Sequence, residues 1–97
     1  MSATEHLTMT NFEELKDRTF TVVSAELPVV LELVEVKKMG SGEREGGAFS
    51  VLWQGPSEPF LPQSIYRFSQ AELGEHELFI VPVAEKTDGF QYESVFT

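Results

Sequence analysis

The sequence predicts an all-β fold, either an antiparallel sandwich or a small closed barrel of about six to seven strands, with a short N-terminal helix. From Thr19 onward, runs rich in Val, Phe, Thr, Tyr and Leu are separated by Gly, Pro, Ser and acidic clusters, as is typical of antiparallel strands. The 97 residues, 41% hydrophobic and 11% aromatic, suffice for one compact core. We therefore expect a single domain over 1–97, with a helical segment at 1–18 and a β domain at 19–97.

The helix signal lies just before the first strand. Threonine and glutamate at the ends of residues 10–13 fit a capping box, in which each side chain bonds the other residue's backbone amide. Asparagine and glutamate at the ends of 11–14 fit equally well. Phe12 and Leu15 then share one face of a helix over 11–16 that is too short to be stable alone. We expect one or two turns that plug the end of a sheet.

The β-rich part of the chain divides into six candidate strands, at residues 19–25, 29–38, 48–54, 65–69, 77–84 and 90–96. The second strand is apolar on both faces, one with Val29, Leu31 and Leu33, the other with Val30, Val34 and Val36 around Glu32. This predicts a central strand that is covered on each side and bent. The last strand carries Phe90, Tyr92 and Phe96 on one face, and Gln91, Glu93 and Thr97 on the other. That pattern predicts one buried and one solvent-facing side.

Two connections stand out. The glycine-rich segment 39–47 is too long for a tight hairpin turn and predicts a mobile loop. In residues 55–62, prolines 56, 59 and 62 recur with the three-residue period of a polyproline II helix. This segment is either a ligand for an aromatic groove on a partner or a stiff crossover, and Phe60 and Leu61 within it favour packing on the protein's own core. Residues 87–89 predict a compact turn.

Charge and composition exclude several functions. The chain has 16 acidic residues against 7 basic ones, a net charge of −9, so phosphate backbones and anionic membranes would be repelled. We expect no nucleic-acid partner and no membrane insertion. The acidic excess is largest in residues 69–97, where six carboxylates face one lysine, and it either docks a basic partner or keeps the protein soluble.

The chain lacks cysteine, which excludes disulfides, thiolate nucleophiles and cysteine-based metal sites. Residues 1–8 have neither a basic region nor an apolar stretch and do not resemble a signal peptide. We expect a cytoplasmic protein, or one that is exported only as part of an assembly.

The most site-like triplet is Glu75-His76-Glu77, because carboxylates can orient a histidine or bind a cation. In a strand, however, Glu75 and Glu77 project to the face opposite His76, so the three do not converge. The alternative is a solvated strand entrance. We therefore expect no catalytic residue, no metal and no cofactor.

Trp53 alternates with Phe49 and Val51, which predicts a core position more readily than a platform for stacking a sugar. A buried indole N–H would then need a hydrogen-bond partner. The residues we retain as candidates for an interaction surface are Trp53, Pro59, Phe60, Tyr66, Glu75, His76 and Glu77.

Six motifs together cover nearly the whole chain: Leu7-Thr8-x3-Phe12-x2-Leu15-x4-Phe20, Leu31-Glu32-Leu33-Val34-Glu35-Val36, Phe49-Ser50-x-Leu52-Trp53-x-Gly55-Pro56, Leu61-Pro62-Gln63-x2-Tyr66, Leu73-Gly74-x3-Leu78-Phe79-x-Val81-Pro82-Val83 and Tyr92-Glu93-x-Val95-Phe96. They resemble those of a family of short bacterial stand-alone proteins of unknown function. The resemblance implies a gene that often lies beside those of phage-tail-collar-like, microcystin-dependent-type proteins. Its motifs are core and turn residues, so it implies no catalytic residue.

Three functional hypotheses follow. The first is a non-enzymatic structural or interaction protein, an accessory or subunit of a phage-tail-collar-like assembly, which recognises a protein partner through an exposed sheet edge or the loop at 39–47. A homo-oligomer is compatible with this hypothesis. The second is a small-ligand or carbohydrate-binding module that stacks its ligand on Trp53, Tyr66 or Tyr92. The third is a hydrolase that uses His76 with a carboxylate.

Overall fold

The computed structural model describes residues 7–25, 27–39 and 48–96. It contains one short helix and six strands: α1 Met9–Glu13, β1 Thr19–Val22, β2 Val29–Lys38, β3 Phe49–Gln54, β4 Ser64–Gln70, β5 Gly74–Lys86 and β6 Gly89–Phe96. All neighbouring strands are antiparallel, and they close into a barrel in the order β1-β2-β3-β6-β5-β4. The predicted all-β class is confirmed, and the architecture is the closed barrel.

The strand order contains a Greek key, because β4 lies beside β1 in the spatial order 4-1-2-3. Residues 55–63, which we call the crossover, carry the chain from β3 over one end of the barrel to β4. The segment is a crossover between two strands, which is one of the two interpretations that the sequence allowed. The other long connection, predicted at 39–47, lies outside the described residues except for Met39, whose N–H donates to the carbonyl oxygen of Ala48 at 2.9 Å.

The helix plugs the opposite end of the barrel, as predicted, with the ring of Phe12 fully buried. Its centroid lies within 6.4 Å of the ring centroids of Phe20, Phe49, Trp53 and Phe96. These residues stand near the start of β1, within β3 and at the end of β6. The helix thus completes the core where the strands leave the interior uncovered.

The predicted helix bounds and caps were wrong. Thr8 is the N-cap, its hydroxyl accepts from the Asn11 N–H at 3.2 Å, and the Asn11 side chain accepts from the Thr8 N–H at 2.8 Å. An asparagine closes this capping box, which is why a search for glutamate missed it. The helix ends at Glu13 and does not reach Lys16, because the amides of Lys16 and Asp17 donate to the carboxylate of Glu72 in the β4–β5 turn.

Strand β2 has the predicted bounds, but the prediction of cover on both faces was wrong. Val29, Leu31 and Leu33 are buried, whereas Val30 and Val34 are exposed. A closed barrel has a single interior, so the second apolar face lies outside. A register shift between Leu33 and Glu35 bends the strand as expected. The predicted two-sided pattern of β6 holds for Tyr92 and Phe96, which are buried, but Phe90, Gln91 and Glu93 are all half-buried, and Thr97 lies outside the described residues.

β3, β4 and β6 differ from their predicted bounds by a single residue at one or both ends, whereas β1 and β5 differ by more. β1 ends at Val22. The Val23 N–H still donates to the Arg67 carbonyl in the register of the β1–β4 pairing, but the Arg67 N–H donates to the Ser24 hydroxyl and not to a backbone carbonyl. β5 is longer than predicted, with 13 residues. It accommodates Pro82, which cannot donate to a ladder, at a register shift against β6.

Candidate interaction surface

The crossover is fixed at its first end by the β5–β6 turn. The Gly55 N–H donates to the Phe90 carbonyl at 2.8 Å, and the Phe90 N–H donates to the Pro56 carbonyl at 3.4 Å. Gly89 has φ +134°, and a Cβ there would stand 2.8 Å from the Pro56 carbonyl oxygen and collide with that of Gly55. Only glycine permits this backbone conformation and this close approach.

Two tyrosines fix the second end of the crossover. The buried Leu61 donates its N–H to the Tyr92 hydroxyl at 3.0 Å, and the Tyr66 hydroxyl donates to the Pro62 carbonyl at 2.8 Å. Burial raises the pKa of Tyr92. The hydrogen bond from the Leu61 N–H lowers this pKa, and the nearby Tyr66 raises it further. Burial also raises the pKa of Tyr66. Both side chains are therefore neutral phenols near pH 7.

Between these anchors the crossover turns outward. Residues 57–59 form a bend with a cis peptide bond between Glu58 and Pro59, in place of the predicted regular polyproline II helix. Phe60 stays 46% exposed although its ring packs edge-on against Phe90, with centroids 4.8 Å apart. The crossover thus presents an aromatic ring on a backbone that is held on both sides.

The crossover and the connection after β1 form a groove of about 430 Å³, lined by Ala25, Leu27, Pro59, Phe60, Leu61, Pro62 and Tyr66. Three of the candidate residues, Pro59, Phe60 and Tyr66, therefore meet in one site. Sequence analysis missed Ala25 and Leu27. The available signal was the apolar Leu27 beside Pro28, in the connection just before β2.

Trp53 does not belong to this surface. It is fully buried, and its indole N–H donates to the Ser94 hydroxyl at 3.0 Å, the partner that a core position required. Tyr92 is fully buried as well. Neither ring faces solvent, so two of the three residues expected to stack a carbohydrate cannot do so.

Glu75, His76 and Glu77 lie far along β5 from the crossover, near the β4–β5 turn. His76 stands opposite the buried Phe68, with its Nε2 2.7 Å from the Leu73 carbonyl oxygen, and its buried Nδ1 has no hydrogen-bond partner among the residues that the structure describes. Glu75 and Glu77 are exposed on the other face, where Glu77 lies 3.8 Å from Arg67. The triplet diverges as strand alternation predicts.

Among residues 7–25, 27–39 and 48–96, no group of three or more histidine or acidic side chains is placed to hold a metal ion. In the same residues, no helix is long and apolar enough to span a membrane.

The chain matches one family of proteins. Residues 7–96 match the model of a family described as a domain of unknown function, DUF6916, which covers the helix and all six strands. A search of curated proteins and a search of solved structures gave no match. Because the family model spans nearly the whole chain, this protein belongs to the DUF6916 family.

Proposed function

We propose that this protein is a non-enzymatic interaction protein that binds a protein partner at the crossover groove, as an accessory or subunit of a phage-tail-collar-like assembly. The observation that carries the proposal is the half-exposed ring of Phe60 on a crossover fixed at both ends. Aromatic side chains at the centre of an interface often carry much of its binding energy.

The anchoring hydrogen bonds lower the entropic cost of binding at this groove. A loop that is already fixed loses little conformational freedom when a partner covers it. Pro59 and Pro62 restrict the backbone on either side of Phe60, while Gly55 and Leu61 tie the loop to β6. The apolar lining gives a partner's aliphatic or aromatic side chain a place to be buried.

The net charge of −9 favours a partner with a basic surface, because complementary charge accelerates and orients association. The choice of a tail-collar-like partner follows from the gene neighbourhood that the family resemblance implies. The proposed location is the cytoplasm, with export only inside the assembly.

Co-expression with a collar-like protein encoded beside this one tests the proposal, followed by pull-down and size-exclusion chromatography with light scattering. We expect a stable complex that Phe60→Ala weakens by about tenfold or more. The matched control is Val34→Ala on β2, which removes a side chain of similar exposure, 45%, away from the crossover. Two separate monomers, or equal loss in both variants, would refute the groove as the interface.

A further inference from the structure

The crossover groove offers the flat faces of apolar rings to a ligand. Two of its lining side chains, Leu27 and Phe60, are 70% and 46% exposed, so both are open to solvent. Pro59 and Pro62 line the groove on the two sequence sides of Phe60, and Tyr66 adds a second aromatic ring. A ligand can therefore bury flat or aliphatic groups against two aromatic rings and two prolines.

Four lining residues of the groove have no hydrogen-bond donor left for a ligand. Pro59 and Pro62 lack a backbone N–H. The Leu61 N–H donates to the Tyr92 hydroxyl at 3.0 Å, and the Tyr66 hydroxyl donates to the Pro62 carbonyl at 2.8 Å. A segment that docks as an added β-strand needs both N–H and C=O partners along its length. The lining therefore disfavours a strand as the ligand.

A polyproline II helix needs no such partners. It has no internal hydrogen bonds, its backbone stays solvated, and its rigid rings are already ordered before binding. Proline-rich segments of this conformation dock in grooves that aromatic side chains line. An α-helix also satisfies its own backbone, but it lacks the flat rings that stack on Phe60 and Tyr66. The lining thus favours a proline-rich segment.

Two carboxylates stand beside the exposed ring of Phe60. Glu58 is exposed and directly precedes Pro59. Glu85 is exposed and pairs with Phe90 across β5 and β6, so both side chains lie on one face of the sheet. Phe90 in turn packs against Phe60, with ring centroids 4.8 Å apart. A ligand that covers Phe60 therefore meets negative charge next to the apolar lining.

Neighbouring charges do not cancel these two glutamates. In the β5–β6 turn, Asp88 and Lys86 balance each other. Arg67 follows Tyr66 on β4 and so projects to the opposite face of the strand. The charge at the groove therefore suits lysine or arginine on the ligand. A second copy of this chain would bring the same carboxylates together, so self-association at the groove is disfavoured.

We infer that the crossover groove binds a proline-rich segment of its partner in the polyproline II conformation, with lysine or arginine beside the prolines. The inference rests on the proposed function in that the site is the same and the partner is a protein. It adds the chemical class of the segment that the groove recognises.

The probe is a short, capped, fluorescently labelled peptide with proline at every third position and lysine at one end. Titration with the protein, followed by fluorescence anisotropy, should give saturable binding that weakens as salt is added. The same peptide with alanine for proline, or with glutamate for lysine, should bind at least about tenfold more weakly. Equal binding of the alanine peptide would overturn the inference, because a helix or an irregular segment would then serve as well.

Variants of the apolar lining locate the binding site. Phe60→Ala and Leu27→Ser should each weaken the peptide by about tenfold. Val34→Ala, which removes a side chain of 45% exposure from β2, should change the affinity less than about twofold. Because Leu27 is 70% exposed, Leu27→Ser gives a second test should Phe60→Ala fail to fold, which thermal melts establish. Equal affinity in all three variants would refute the groove as the site.

A charge variant tests the basic part of the ligand. Glu58→Gln should weaken the peptide several-fold and make its binding less sensitive to salt. Glu75→Gln removes the same charge from an exposed position at the far end of β5 and should do neither. If the two variants behave alike, the net charge of the protein and not the groove selects the lysines.

Competition separates this inference from the proposed function. Peptide binding at the groove without a complex in the co-expression test would refute the tail-collar-like partner and support the proline-rich class of ligand. A complex that Phe60→Ala weakens, but that an excess of the proline peptide does not displace, would support the proposed function and refute the inference.

Discussion

The indole N–H of Trp53 donates to the hydroxyl of Ser94 at 3.0 Å inside the barrel, where both side chains are almost completely buried. This bond joins β3 to β6 on the interior side of the barrel. A buried indole N–H without a partner would carry a desolvation penalty, so Ser94 stabilises the one polar atom of the largest core side chain.

Ser94→Ala should therefore lower the free energy of unfolding by about 1–3 kcal/mol, because it leaves the indole N–H buried and unpaired. Urea unfolding monitored by circular dichroism measures the change. Ser64→Ala, at an exposed serine at the start of β4, is the matched control and should stay within about 0.5 kcal/mol of the unaltered protein. Equal stability of the two variants would contradict this account of the core.

A second prediction concerns the hydrogen bonds from Glu72 and Gln70 that hold the segment after α1, which we call the clamp. The Glu72 carboxylate accepts from the N–H groups of both Lys16 and Asp17 at 3.0 Å, and the Gln70 side chain donates to the Asp17 carbonyl at 2.7 Å. Glu72→Gln replaces a charged acceptor by a neutral one, so the Lys16 and Asp17 amides should exchange with solvent faster.

Hydrogen exchange followed by NMR tests the clamp. Because Glu72 is exposed, the loss in unfolding free energy should be only about 1 kcal/mol. The control is Glu75→Gln, which removes the same charge from an exposed position nearby on β5. If both variants accelerate the two amides equally, general charge and not the clamp protects them.

Much of the fold follows from local sequence pattern. The bounds of β2, the core position of Trp53 and the two-sided pattern of β6 all depend on alternation along one strand, which can be read from the chain. The groove at the crossover could not be read from the sequence, because Leu27 and Phe60 come together only after the barrel closes.

A third prediction concerns the bond between Tyr92 and Leu61. Tyr92→Phe leaves the buried Leu61 N–H without its acceptor and should lower the unfolding free energy by about 1–2 kcal/mol near pH 7. Tyr66→Phe should cost less, because the Pro62 carbonyl that it frees lies at an exposed site and can bind water. Urea titrations of both variants measure the difference, and a larger loss in Tyr66→Phe would count against the anchoring role of Tyr92.

The same tyrosine should make stability fall in alkali. Burial raises its pKa above the ordinary value of 10.0, so above pH 10 the unfolded chain releases this proton first and unfolding is favoured as pH rises. Tyr92→Phe removes that contribution, so the gap in unfolding free energy between the variant and the unaltered protein should narrow above pH 10. A gap that is constant from pH 8 to pH 11 would show that Tyr92 titrates alike in both states.

The last prediction compares two glycines with positive φ. Gly89→Ala should lower the unfolding free energy by more than about 2 kcal/mol, because its Cβ would collide with the Gly55 and Pro56 backbone. Gly74 has φ +80° but nothing within 4 Å of an added Cβ, so Gly74→Ala should cost only the backbone term, about 1 kcal/mol. Since the Gly89 contact fixes the crossover, Gly89→Ala should also weaken partner binding at the groove, whereas Gly74→Ala should not. Equal losses of stability for Gly89→Ala and Gly74→Ala in thermal melts would show that the crossover moves away from β6 without a free-energy cost. In that case the crossover is not preorganised for binding at the groove.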